Sequence, residues 1–175
     1  MKNCFIVLIK IFFLAFLSCV NNSKTEPSQE LINGTPSIVN GQHIIIDEFN
    51  AYSPKNKSTN DSLTINISFR STIDSIAEQL VNSDKLDRST FLFIKEFDKF
   101  SGIPRLEEID ESTFELYVLD GSGDYEIKFR PQICDSIEIL FLLNDQLQYP
   151  VDDDNIRWIQ DIATIEASIL WNCKR

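Results

Sequence analysis

His43 is the chain's one histidine, so any Ser–His–Asp or Cys–His arrangement has a single residue to draw on as its base. It opens a β-branched run, Ile44-Ile45-Ile46, and is expected as a solvated or capped strand-end residue. No Gly-x-Ser-x-Gly elbow exists, and Gly121-Ser122-Gly123 lacks both the spacing and a strand-to-helix setting. Zinc has no ligand set at recognisable spacing, because one histidine and the distant Cys134 and Cys173 do not make one. Asp120-x-Ser122-x-Asp124 is the best metal candidate: Asp120, Ser122 and Asp124 alternate oxygen ligands as the first half of a calcium loop does, and calcium is the one cofactor they suggest. The second half departs from that pattern, with Tyr125 where glycine is needed and Pro131 where a bidentate Glu belongs, so a hairpin turn competes. Asp152, Asp153 and Asp154 gather carboxylates too, but three neighbours point apart unless the loop bends them together. Glycoside hydrolysis needs two carboxylates at a set separation, for which Glu115, Glu126 and Glu138 on expected strands are candidates. Exposed alternating charge paired with Lys128 or Arg130 is the plainer account of them.

The elements that must position these groups follow from periodicity. Leu63, Ile65, Ile67 and Phe69 alternate with Thr64, Asn66, Ser68 and Arg70, which puts one face in a core and the other in water. Over residues 72–82 the period changes to a helical stripe, Ile73, Ile76, Ala77 and Leu80, begun by a Ser71/Asp74 capping box. Residues 43–49 predict a strand buried on both faces, and 90–97 another strand. Residues 113–119 and 125–130 predict a hairpin around Asp120–Asp124, and 135–143 with 147–151 a second around Asn144-Asp145-Gln146. Residues 156–171 fit a helix and a strand equally. The expected class is α+β, a mostly antiparallel sheet of about six to seven strands with one or two helices; an all-β sandwich or small barrel is the alternative.

The amino terminus carries an address. Lys2 provides a positive start, residues 11–17 an unbroken apolar core, and Ser18 a small residue before Cys19. This segment resembles the signal peptide of a bacterial lipoprotein. The resemblance covers only the leader and implies that Cys19 is the acylated first residue of the mature protein, with a palmitate-type chain holding it to a membrane of the cell envelope. An ordinary secretory signal, giving a secreted or periplasmic product, would need small residues one and three positions before the cut, and no register supplies them. An uncleaved anchor is disfavoured because residues 5–20 are interrupted by Lys10 and fall short of the roughly 20 needed to span a bilayer.

With Cys4 removed and Cys19 lipidated, Cys134 and Cys173 remain as a pair, expected as a disulfide in an oxidising compartment. Such a bridge closes a loop of about 40 residues, worth up to roughly 4 kcal/mol in the chain-entropy description. The expected organisation is leader 1–18, lipidated Cys19 and a polar tether over 19–41, and one globular domain over 42–175.

Composition narrows the partners. The chain carries a formal net charge of −11, and loss of Lys2 and Lys10 with the leader makes the mature form more acidic still. Nucleic acid is excluded, since no basic cluster is available to release phosphate counterions. Anionic headgroups are repelled for the same reason, so membrane attachment must come from the N-terminal lipid. Asp-Ser pairs followed by Leu or Ile, at Ser62, Ser75 and Ser136, resemble a short acceptor motif for O-linked glycans in some envelope proteins. Thirteen Phe are core material before they are a sugar-stacking platform. The expected function is a lipid-anchored envelope protein with a non-catalytic domain that binds a protein or glycan. Two alternatives stand beside it: a carboxylate-based, glycan-acting or metal-assisted enzyme, and an immunity or inhibitor lipoprotein whose acidic surface blocks a basic toxin.

Overall fold

Side chains that alternate between apolar and polar every second residue can bury one face only as strands, and that alternation runs through most of this chain. In the computed structural model, residues 29–31, 35–55, 61–80, 86–105, 113–152 and 155–171 are described. Among them are nine strands: β1 (Gln29–Leu31), β2 (Ser37–Val39), β3 (Ile44–Pro54), β4 (Leu63–Ser71), β5 (Asp87–Asp98), β6 (Glu115–Leu119), β7 (Gly123–Phe129), β8 (Asp135–Pro150) and β9 (Ile156–Trp171). One helix, α1 (Thr72–Gln79), follows β4. A four-stranded sheet runs β1-β3-β4-β7 and a five-stranded sheet β2-β9-β8-β5-β6. Every pairing is antiparallel.

The two sheets share one core. Leu63, Ile65, Ile67 and Phe69 of β4 meet Ile137, Ile139, Phe141 and Leu143 of β8 and Ile165 and Ile169 of β9. Phe49 stands edge-on to Phe141 across the gap, with ring centroids 5.0 Å apart. A bulge in β3 makes this possible. The register skips Asp47 between Ile46 and Glu48, so inward parity passes from Ile44 and Ile46 to Phe49 and Ala51. Asp47, freed from the ladder, pairs with Arg70 at 2.7 Å on the surface. The helix closes one end, where Ile73 and Ala77 pack on Leu147.

The mostly antiparallel, sheet-rich expectation holds, and several finer expectations do not. The two expected hairpins are absent. β6 pairs with β5 and β7 with β4, so Asp120, Gly121 and Ser122 cross between sheets and are not a turn within one, while Gly123 and Asp124 already belong to β7. Asn144, Asp145 and Gln146 lie inside the continuous β8, because Asp145 points inward and finds ionic partners there. The tight connection instead joins β8 to β9. Residues 156–171 are a strand, and their inward set Ala163, Ile165, Ala167, Ile169 and Trp171 keeps period two. The strand expected to be buried on both faces is buried on one, with Ile44 and Ile46 inward and Ile45 exposed. The helix ends at Gln79, earlier than expected, and two short strands arise within the segment expected as a tether.

Candidate functional site

Three places in this fold concentrate polar chemistry or exposed apolar surface. The first lies where α1 meets the crossing. Ser71 Oγ caps the helix by accepting from Ile73 N–H at 3.2 Å. The other half of the expected capping box is relayed: Ser71 N–H donates to Ser122 Oγ at 2.6 Å, and Ser122 donates in turn to Asp74. Asp74 also pairs with Arg88, whose Nη2 reaches Asp145 Oδ2 at 3.1 Å. Thr90 Oγ1 donates to Asp145 Oδ1 at 2.9 Å. Asp145 is fully buried, and Arg88 and Thr90 supply its carboxylate with partners inside the protein. Burial lowers the Arg88 guanidinium's affinity for its proton, but Asp145 and Asp74 outweigh that and hold it above its usual value. Gly121, at φ 74° in the crossing, brings its backbone so close that a Cβ there would meet Asp74 and Arg88 at 3.0–3.1 Å. An open depression of about 430 Å³ lies alongside, lined by Asp74, Glu78, Leu86, Arg88, Asp120 and Ser122. Asp74 and Arg88 in its lining bind each other, which is the behaviour of a structural staple.

The second place is the outer face of the four-stranded sheet. Glu48, Asn66, Ser68, Asp124 and Glu126 line a depression of about 370 Å³. Asn66 Oδ1 is buried there without a hydrogen-bond partner, and Glu126 pairs with Lys128 at 3.0 Å. This surface is acidic and shallow.

The third is the outer face of the five-stranded sheet, and it is apolar. Register places Phe93 opposite both Leu116 and Leu142, and Phe91 opposite Val118 and Asn144. Phe91 and Phe93 lie 6.1 Å apart, Phe114 stands edge-on to Phe93, and Lys95 Nζ sits 5.5 Å from the Phe97 and Phe114 rings. Leu116 is 51% exposed, Val118 73%, and Trp158, at the far corner on β9, 61%. Such a surface on one side of a sandwich is the kind of patch that marks an interaction site. Phe91-Leu92-Phe93-Ile94 signalled it in the sequence: a strand apolar on both faces needs cover on both.

The residues singled out in the sequence are dispersed. His43 Nδ1 lies 2.8 Å from Thr72 Oγ1, and the carboxylate that could complete a triad, Asp161, accepts from the His43 backbone N–H and not from its ring. Asp120, Ser122 and Asp124 do not converge: Ser122 is held by Asp74, and Asp124 faces outward opposite Ser68. Among the described residues, no group of three or more His, Cys, Asp or Glu gathers for a metal. Asp152 accepts from Asn155 within the β8–β9 turn, and Asp153 and Asp154 lie outside the described residues. Glu115, Glu126 and Glu138 do not meet. Glu126 is on the other sheet, and Glu138 accepts from Ser168. Glu115 neighbours Glu96 instead. Burial raises the Glu96 carboxyl above its ordinary range, the N–H groups of Gln132 and Ile133 partly offset this, and Glu115 adds to the rise. Tyr117, bonded to Glu115, is pushed up by burial as well. Because Gln132 N–H donates to Glu96 at 2.7 Å, this carboxylate pins the loop before β8. Cys134 sits half-buried one residue before β8, whose Asp135 is in register with Trp171. Cys173, its expected partner, lies outside the described residues, as do the leader and Cys19. Of the three Asp-Ser motifs, Ser75 lies exposed on α1.

Asp161 was not legible as important, although a lone carboxylate in an apolar strand needs an inward partner. It accepts the N–H groups of Gln42, His43 and Ile44 at 3.1, 2.6 and 2.8 Å, pinning the entry to β3. Desolvation raises its pKa, but these donors and Ile162 N–H outweigh it and hold the carboxyl below its usual range. A lowered folded-state pKa stabilises above the unfolded value near 4, and that contribution is lost as pH falls through the folded one. Asp161→Asn therefore costs about 1 kcal/mol at pH 7 in urea titrations, a figure kept small because the group is largely solvated. The difference from wild type narrows in acid.

No family model, curated protein or solved structure matches this chain. Its functional reading therefore rests on its own surface.

Proposed function

We propose that the chain is a lipid-anchored protein of the bacterial cell envelope, attached through Cys19, whose sandwich binds a partner on the outer face of its five-stranded sheet and performs no chemistry itself. The observation that carries this reading is the contrast between that face and the rest of the molecule. In a chain of net charge −11, Leu116 and Val118 lie exposed on this face beside the half-buried Phe91, Phe93 and Leu142. Leaving such area wet costs roughly 25 cal/mol per Å² relative to covering it, which favours a partner that does so. The carboxylates an enzyme would use are taken up elsewhere: Asp145 by Arg88 and Thr90, Glu96 by backbone N–H groups, and Asp161 by three more.

A second reading, inhibition of a basic partner, is favoured by the acidic depression around Glu48, Asp124 and Glu126 on the opposite sheet. It predicts association that weakens steeply with salt, whereas the apolar face predicts little salt dependence. A Cys134–Cys173 bridge, proposed for the oxidising envelope, would tie the chain before β8 to the chain after β9 and fix the end of the β8–β9 pair where Asp135 meets Trp171.

The anchor has a direct test. Intact mass of the protein purified from membranes should correspond to a chain starting at Cys19 plus acyl groups, and Cys19→Ser should move the protein from the membrane to the soluble fraction. An unacylated chain retaining Met1 would overturn the anchor.

A further inference from the structure

Resting on the reading of the five-stranded sheet's outer face as the binding surface, we infer that the corner around Trp158 recognises a neutral glycan. On this corner Trp158 stands opposite Gln148, Gln160 opposite Gln146, and Gln146 opposite Ser89, all on the outward parity of β5, β8 and β9. Asn144 is the next outward residue on β8, and Gln160 Nε2 donates to its Oδ1 at 3.2 Å. Facing residues on neighbouring strands are separated by about 5 Å and successive outward residues on one strand by about 7 Å, so the carboxamides form a grid on the scale of a sugar ring.

The chemistry of that grid is selective. A carboxamide offers a donor and an acceptor side by side, which matches vicinal hydroxyls, each of which donates and accepts. An ionic ligand would call for arginine, lysine or convergent carboxylates instead, and Asp87, opposite Gln148, is the one charged outward residue paired directly with this set. Trp158 supplies the other half of sugar recognition. Its indole is 61% exposed, and a flat π face packs against the axial C–H groups of a pyranose while its N–H stays free for a hydroxyl. Two pairs, Tyr149 with Arg157 and Pro150 with Ile156, separate Trp158 from the β8–β9 turn, so it lies at the rim of the sheet and clear of the Phe91–Phe93 cluster. A polysaccharide chain can therefore reach it without threading past other elements.

The test is affinity electrophoresis of the full chain, held in a polyoxyethylene detergent, through native gels containing dextran, laminarin, galactomannan or xyloglucan. At least one of these should retard the wild type. Trp158→Ala should weaken that retardation about tenfold and Gln146→Leu should weaken it too, while Ile45→Ser, exposed on the other sheet, leaves it intact. The effect should change less than about twofold between low and high salt, as expected of an uncharged ligand. All three substituted side chains project outward, so unchanged melting temperatures will verify folding. Retardation by none of the four polymers, or retardation that Trp158→Ala leaves untouched, overturns the glycan assignment. The broader reading is separable. If no polymer binds but a cross-linker at position 118 still captures a cell-envelope protein, the sheet face binds protein and the sugar assignment alone falls; if neither occurs, both fall.

Discussion

Arg88→Met should lower the unfolding free energy by about 3 kcal/mol in urea titrations at pH 7, one of the two largest effects expected of a single substitution in this protein. Asp145 is fully buried on the central strand β8, and its charge is tolerated because Arg88 Nη2 lies 3.1 Å away and Thr90 Oγ1 2.9 Å away. Methionine keeps most of the arginine's apolar stem and removes its charge, so the variant strands the carboxylate with one neutral donor. It also leaves Asp74 without its cation at the start of α1. The side chain of Arg88 is 22% exposed, which places the cost toward the lower end of the range for broken buried pairs. The double variant Arg88→Met/Asp145→Leu should recover most of the loss, because it removes both charges and leaves apolar groups in their place. A single variant as stable as wild type would mean that the network is solvated and contributes little.

Phe141→Ala should cost about 3–5 kcal/mol and lower the melting temperature by roughly 10–20 °C. Phe141 is 1% exposed, sits opposite Ile165 and Ile94 in the five-stranded sheet, and meets Phe49 of the other sheet edge-on. Truncation leaves a cavity at the seam of the sandwich, which neither twisted sheet can close by moving alone. Val118→Ser on the outer face should stay within about 0.5 kcal/mol of wild type, because that side chain is already in water. The contrast separates residues that hold the fold from residues available to a partner.

The sequence carried local pattern well and long-range pairing poorly. Leu63, Ile65, Ile67 and Phe69 announced a one-sided strand, and all four are buried. Ser71 announced a helix start, and it caps α1. What misled was adjacency. β6 and β7 are separated by Asp120, Gly121 and Ser122, which invites a hairpin, yet β6 pairs back with β5, the strand before it, and β7 with β4 in the other sheet. Asn144-Asp145-Gln146 looked like a turn because the reason for a charge in mid-strand, Arg88, lies 57 residues away. Asp161 hid in the same way, since its partners are backbone N–H groups near residue 43, which composition does not reveal. The apolar outer face was half legible. The run Phe91-Leu92-Phe93-Ile94 showed that one strand was apolar on both sides, but only the strand order β9-β8-β5-β6 brings it beside Leu116, Val118 and Leu142 and, among the described residues, leaves that side open.

The central claim, that this molecule meets its partner on the outer face of the five-stranded sheet, is tested most directly by a photo-activated cross-linking residue introduced in living cells at position 118 and, separately, at position 126 on the opposite sheet. The account predicts a specific high-mass adduct from 118 and none from 126. Adducts from 126 alone would contradict it and place the partner on the acidic surface around Glu48 and Asp124.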